Sequence, residues 1–272
     1  MDMPIDYYNE QQAAYAFSKQ AGIFDELYAG NTIVQYKRER VRQRLLQYLQ
    51  PASKILELNA GTGDDAIYLA QRGHYVHATD ISAGMQEQLM KKAARSKVNG
   101  FVTNELCSYT ALSTLNNKGP YDCIFSNFAG LNCTGDLKRV LERFHELLKP
   151  NGIVVLVMLP KFCLWETLLL LKGKFRTATR RFFSSNGRRA KIDGAGFTCW
   201  YYSPGYVARQ LNQFTLLNTE GLCTMVPPSY IEHFAENHPK AFSFLRKMED
   251  RYKAKWPWKN IGDYYIISLR RK

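Results

Sequence analysis

Short apolar runs alternate with amphipathic stretches between residues 51 and 160. Residues 54–58, 75–79, 101–106, 121–126 and 153–159 read as strands, with buried-type cores such as Cys123-Ile124-Phe125. Residues 64–72, 82–97 and 136–148 carry helical spacing. Gly73 closes the first helix, and Pro150 with Gly152 terminates the last. Strands of this length alternating with helices predict βαβ units and a parallel sheet. Upstream, residues 7–49 read as helical. Ile33, Val34, Val41, Leu45, Leu46 and Leu49 recur at roughly helical spacing, with Lys37, Arg38, Arg40, Arg42 and Arg44 between them, until Pro51 stops the pattern. After Pro160 the alternation breaks. Leu164, Trp165 and leucines 168–171 form an apolar run, and Lys172, Lys174, Arg176, Arg180 and Arg181 follow. Residues 184–187 and 194–196 read as loops. The pattern then resumes with a strand at 198–202, a helix at 203–213 opened by Ser203-Pro204, a strand at 214–226 with a turn at Gly221, helix over much of 229–253 and a last strand at 264–269. The closing pair of strands predicts a mixed sheet with one antiparallel edge strand.

Charge refines this picture. The chain of 272 residues has a formal net charge of +13, but the excess is local. Residues 160–196 hold nine Lys/Arg against two Asp/Glu, and residues 240–272 hold ten against three. The rest is nearly neutral, so the basicity is an addition to the body. It fits an anionic surface, whether membrane or RNA, or an ordinary solvated face. No run of apolar residues is long enough for a membrane-spanning helix, and the start lacks the basic-then-apolar order of a signal peptide. The six cysteines include no CxxC pair, which argues against zinc or thioredoxin-like chemistry. They read as reduced core thiols in a cytoplasmic protein.

The chemistry concentrates at Ile55-Leu56-Glu57-Leu58-Asn59-Ala60-Gly61-Thr62-Gly63-Asp64-Asp65. A buried strand runs into a glycine turn and then a helix, which brings a ligand to a helix N-terminus at the end of the first strand. Asp80, at the end of the second strand, is placed to accept from a ribose diol. Gly61-x-Gly63-x-x-Ala66 satisfies a dinucleotide fingerprint. Electrostatics argue otherwise: Glu57, Asp64, Asp65 and Asp80 would repel a pyrophosphate and suit a cationic ligand.

Glu57-x-Asn59-x-Gly61-x-Gly63 resembles the first motif of class I S-adenosylmethionine-dependent methyltransferases, with Asn59 in place of the first glycine. His77-Ala78-Thr79-Asp80-Ile81-Ser82-Ala83-Gly84-Met85 resembles the family's second signature. Residues 121–128 resemble its fourth strand, and Leu147-Leu148-Lys149-Pro150-Asn151-Gly152 the turn into its fifth. The resemblance covers about residues 40–160. It implies an α/β fold with a doubly wound, mostly parallel seven-stranded sheet, an N-terminal helical lid over residues 1–50 and a Rossmann-like domain over 51–272. It also implies a substrate-covering insertion at about 160–197. Glu57, Asn59, Ala60, Gly61 and Gly63 are then expected along the methionine part of S-adenosylmethionine. Asp80 is expected at the ribose, with Ile81 and Met85 beside the adenine. Leu106, Cys107 and Ser108 are expected at the adenine ring, and Asn127 and Phe128 opposite the sulfonium. The product would be S-adenosylhomocysteine.

The acceptor is written less clearly. Asn127-Phe128-Ala129-Gly130 lacks the prolines of an Asn-Pro-Pro-Tyr motif, which argues against methylation of base amino groups. No acid cluster has the spacing of a magnesium site, so no metal is expected. The apolar insertion favours a small apolar or aromatic metabolite. RNA methylation through the basic segments is the alternative reading, and a non-catalytic cofactor-binding protein is a third. Tyr7, Tyr8, Tyr15, Phe17, Phe24, Tyr28 and Tyr36 are expected to close the lid or to lie in the core. Tyr28, Tyr36 and Trp165 are substrate-side candidates, and Phe162, Phe182 and Phe183 accompany Trp165 in the insertion. His233 and His238 are the candidate bases, while His74, His77 and His145 read as structural.

Overall fold

The computed structural model describes residues 5–182, 184, 186–192 and 194–272, with the side chains of residues 5–7 excepted. Tyr7 as a side chain and Phe183 therefore lie outside the described residues. Three helices open the chain: α1 (Ile5–Gln20), α2 (Phe24–Ala29) and α3 (Thr32–Leu46). The side chain of Asn31 caps α3 by accepting from the N–H groups of Ile33 and Val34. The alternating region follows as β1 (Lys54–Leu58), α4 (Asp64–Ala70), β2 (Tyr75–Asp80), α5 (Ala83–Arg95), β3 (Val102–Leu106), β4 (Tyr121–Ser126), α6 (Leu137–Glu142), α7 (Phe144–Leu147) and β5 (Leu148–Met158). The insertion holds α8 (Leu164–Leu168), α9 (Phe175–Ala178), β6 (Arg188–Ile192) and β7 (Ala195–Cys199). The chain ends with α10 (Pro204–Gln210), β8 (Phe214–Leu222), α11 (Phe234–Asn237), α12 (Pro239–Tyr252) and β9 (Tyr264–Arg271).

The main sheet has seven strands in the order β3-β2-β1-β4-β5-β9-β8. Strands β1 to β5 pair in parallel, and β9 runs antiparallel to both β5 and β8. The antiparallel strand thus sits one place in from the edge, and β8 closes the sheet. Residues 198–202 do not add a main-sheet strand. Their beginning belongs to β7, which pairs with β6 as a separate two-stranded hairpin. Beyond it the chain turns inward, where Trp200 N–H donates to Asn132 C=O and Tyr202 N–H to Leu159 C=O.

Because side chains alternate across a strand, the sheet carries a core on each face. Leu56, Leu58, Ile124 and Leu156 pack with α6, α7 and α10 on one side. Ile55, Phe125, Val155 and Ile266 pack with α3, α4 and α5 on the other. Strand order reverses between β1 and β4, and the crevice at such a switch point is where open α/β sheets bind ligands. Among the first helices, α3 lays Val41 and Leu45 into the second core, while α1 and α2 cover the crevice.

Candidate functional site

A partly open cavity of about 150 Å³ lies at the carboxyl ends of β1, β2 and β4, beneath α1 and α2. Glu57, Asn59, Ala60, Gly61, Asp80, Ile81, Met85, Asn127 and Phe128 all line it, as read from the sequence.

The turn after β1 shows why its residues have these identities. Asn59 has φ 47°, in the left-handed region that asparagine tolerates best after glycine. Its amide donates to Asn127 C=O at 3.1 Å and accepts from the Ser126 hydroxyl at 2.8 Å. Asn59 therefore ties the end of β1 to the end of β4. Room for it exists because residue 130 is glycine, where a Cβ would stand 2.1 Å from the Asn59 side chain. Gly61 has φ 57°, and its N–H donates to Asp80 Oδ2 at 2.9 Å. Gly63, φ 80°, begins α4; a Cβ there would meet Leu89 of α5 at 2.5 Å. Gly63 thus permits helix packing and does not line the cavity.

Four acids surround the turn, and they are not equivalent. Asp64 is paired with Arg38 and Lys92, whose charges outweigh burial and hold its carboxyl below the usual range. Asp65 meets Arg42 at 2.6 Å and the Asn127 amide at 2.7 Å. Their charge is spent inside the protein. Glu57 differs: it is 2% exposed, and its Oε2 has no partner among the described residues. Burial, and then the Asp65 charge, push its carboxyl well above the usual range. Asp80 Oδ1 accepts from Ser82 N–H at 2.8 Å; burial raises this carboxyl and the backbone donors oppose that. Arg38, which also lines the cavity, leaves its buried Nε without a partner among the described residues. Phe128 and Ala129, both at positive φ, turn the chain after β4 and set the Phe128 ring under the Arg38 guanidinium at 5.5 Å.

The N-terminal helices bring in Phe17 and Phe24, expected there as aromatics, together with Glu10, Ala13 and Ala14, which the sequence reading did not single out. Glu10, Ala13, Ala14 and Phe17 of α1 line the cavity, with Phe24 of α2. The spacing i, i+3, i+4, i+7 puts the four on one helical face, and that periodicity was available in the sequence. Glu10 accepts from the hydroxyls of Ser108 and Thr110. Asp25 of α2 accepts from Thr62 at 2.6 Å and Lys92 at 2.7 Å, and Ser18 meets Ser82 at 2.6 Å. Asn9 donates to Cys133 C=O at 2.7 Å and to Thr198 C=O at 3.0 Å, and accepts from Thr198 N–H. Phe17 packs on Phe197 of β7 at 5.9 Å. The insertion hairpin thereby holds the lid helix down.

Several expected positions lie elsewhere. Leu106 is exposed at the end of edge strand β3, and Cys107 packs below the surface; neither lines the cavity. Ser108 reaches it only through Glu10, and Tyr109 takes the wall position instead. Tyr28 stacks on Phe24 away from the cavity, and Tyr8 and Tyr15 face outward. Tyr36 is buried against Phe242 with its hydroxyl on Arg40. Trp165 donates its indole N–H to Thr224 C=O at 3.1 Å. His233 and His238 are exposed around α11, outside the cavity.

Among the described residues, Cys163, Glu166 and Asp263 are grouped closely enough to hold a metal ion. Arg181 already fills that place, reaching Glu166 at 2.6 Å and Asp263 at 2.9 Å. No helix among the described residues is long and apolar enough to cross a membrane.

A family model described as a methyltransferase domain matches residues 55–152. An uncharacterised methyltransferase of Synechocystis sp. is 30% identical over 166 residues, which cover 59% of this chain and 74% of that one. Two further curated methyltransferases match over 46% and 56% of their own length. Among solved structures, the 1,6-didemethyltoxoflavin-N1-methyltransferase of Burkholderia thailandensis superposes with a TM-score of 0.58 at 15% identity. That match covers 100% of this chain and 93% of that one. The geranyl diphosphate C-methyltransferase of Streptomyces coelicolor gives 0.56 at 15% identity, covering 88% and 79%.

Proposed function

We propose that this chain, which belongs to the class I S-adenosylmethionine-dependent methyltransferases, transfers a methyl group to a small apolar or aromatic acceptor received inside the cavity. The observation that carries the acceptor reading is the apolar lining beneath α1. Ala13, Ala14, Phe17, Phe24, Ile81, Met85 and Phe128 give the chamber apolar walls, and α1 roofs it. A polymer would have to displace that roof. The two solved neighbours were crystallised with small molecules, 1,6-didemethyltoxoflavin and geranyl diphosphate.

The residues present suit the family's cofactor. The unpartnered Oε2 of Glu57 offers a buried carboxylate to an ammonium, and the unpartnered Nε of Arg38 faces the complementary carboxylate. Together they match the zwitterion of a methionine moiety. Asp80 retains lone pairs for a ribose diol beside its two backbone donors. Ile81, Met85 and Tyr109 supply apolar surface for an adenine. S-adenosylmethionine, when bound, supplies an electrophilic methyl group on a sulfonium.

The protein's own part is to position the acceptor within about 3–3.5 Å and to exclude water. No histidine lines the cavity among the described residues. Where the acceptor is a hydroxyl, Glu10 is the carboxylate that the lid contributes to receive its proton.

Calorimetric titration with S-adenosylmethionine and S-adenosylhomocysteine, followed by a methyl-transfer screen of small aromatic and apolar acceptors, tests this reading. Asp80→Ala is expected to weaken cofactor binding by about 1–3 kcal/mol. Unchanged affinity would remove Asp80 from the ribose, and turnover only with RNA or protein would overturn the small-acceptor reading.

A further inference from the structure

The cations of this chain are of two kinds. Around the cavity and along α3 they are paired: Arg38 with Asp64, Arg42 with Asp65, Arg44 with Glu220, and Lys92 with Asp25 and Asp64. In the insertion Lys161, Lys172, Lys174 and Arg176 are exposed, and none has an acidic group within ion-pair distance among the described residues. Near the C-terminus Lys255 is likewise exposed, Lys259 is half-buried, and neither has an acidic group within ion-pair distance among the described residues.

Large apolar side chains stand between these cations. Leu171 is 85% exposed, Phe175 67% and Trp256 79%, with Leu168 and Phe182 also exposed. One exposed leucine is ordinary, but several interleaved with unpaired cations form an amphipathic surface.

The two segments are distant in sequence and joined in space. Leu164 N–H donates to Ile261 C=O at 2.9 Å. The Trp165 indole donates to Thr224 C=O, and the Thr224 hydroxyl donates to Trp258 C=O at 3.1 Å. Arg181 bridges from the insertion to Asp263. The two basic stretches therefore converge on one side of the molecule, outside the cavity.

We propose that residues 161–182 together with 253–259 form a docking surface for an anionic lipid bilayer. The cations meet the headgroups, and Leu171, Phe175 and Trp256 enter the boundary between headgroup and acyl chain. The chemistry favours lipid over nucleic acid. A phosphate backbone rewards the cations but offers nothing to Leu168 or Leu171, whereas a bilayer rewards both. This inference stands apart from the methyl-transfer reading, since no residue of the surface lines the cavity.

Cosedimentation of the full chain with vesicles of equimolar phosphatidylglycerol and phosphatidylcholine tests it, with pure phosphatidylcholine as control. Binding is expected only to the anionic vesicles. Lys172→Gln/Lys174→Gln/Arg176→Gln is expected to lower partitioning about 100-fold at low salt. Leu171→Ser/Phe175→Ser, which leaves the charge unchanged, is expected to lower it at least about tenfold. All of these positions are exposed, and cofactor titration verifies that each variant is folded. No binding to anionic vesicles would overturn the proposal. So would binding that ignores Leu171→Ser/Phe175→Ser and is matched by transfer RNA, because the surface would then read polyanions alone.

Discussion

Asn59 stands where the motif would have a glycine, and its side chain is used: it joins β1 to β4 through Asn127 and Ser126. The substitution is matched by Gly130, whose missing Cβ makes the space. Gly130→Ala is expected to destabilise the fold by roughly 1–3 kcal/mol in denaturant titration, and adding Asn59→Gly is expected to recover much of that loss. The departure at Asn59 was visible in the sequence, but its partner at residue 130 was not, because the pairing crosses two strands. The acids tell a similar story. Four carboxylates were legible as a negative cluster, but the basic residues of α3 and α5 that neutralise Asp64 and Asp65 lie far along the chain. Glu57 is left as the carboxylate with a free oxygen. Burial raises its pKa, so Glu57 keeps its proton above the usual carboxylate range, while an ammonium ligand requires the ionised form. Affinity for S-adenosylmethionine is therefore expected to fall as pH is lowered. Glu57→Gln is expected to weaken binding and flatten the pH dependence in calorimetry.

At the scale of elements, the alternation from β1 to β5 was readable because β1, β2, β4 and β5 each carry a continuous buried run, and Gly63 and Ser82 mark the starts of α4 and α5. The position of β9 was not. A strand's own residues carry the burial, but not the identity of its neighbours, and β9 is buried between β5 and β8. In the hairpin of β6 and β7, the sequence reading assigns no strand to β6, which is largely exposed and lacks a buried face, and reads residues 194–196 at the start of β7 as loop. That hairpin nevertheless clamps α1 through Asn9 and Phe17. Asn9→Ala, which removes the tie to both Cys133 and Thr198, is expected to cost about 1–3 kcal/mol of lid closure. Faster tryptic cleavage at Lys19 and weaker cofactor affinity, with the rest of the chain still protected, would show it; an unchanged cleavage rate would mean that the hairpin does not hold the lid.

The whole molecule is tied together by buried ion networks. Arg181, 3% exposed, joins the insertion to the start of β9 by holding Glu166 and Asp263 at once. Removing the cation leaves Glu166 with the half-exposed Arg180 and Asp263 with Lys37 at 3.9 Å, so Arg181→Met is expected to cost about 2–3 kcal/mol in denaturant unfolding. The sequence showed this arginine only as one more cation in a basic run, because its partners are 15 and 82 residues away. The six cysteines have a different consequence. All are free and buried, and burial pushes every thiol up, Cys199 to about 11 and Cys163 to about 12. At neutral pH an alkylating reagent meets little exposed sulfur and almost no thiolate. Each thiol becomes reactive only when its own segment opens, so labelling rates read opening events rather than surface chemistry. Cys133, on the cavity wall beneath Asn9, times the lifting of the lid; Cys123, in the centre of β4, times the breaking of the sheet. The chain carries its own set of clocks, and the interval between the fastest and the slowest measures how far the roof moves independently of the body.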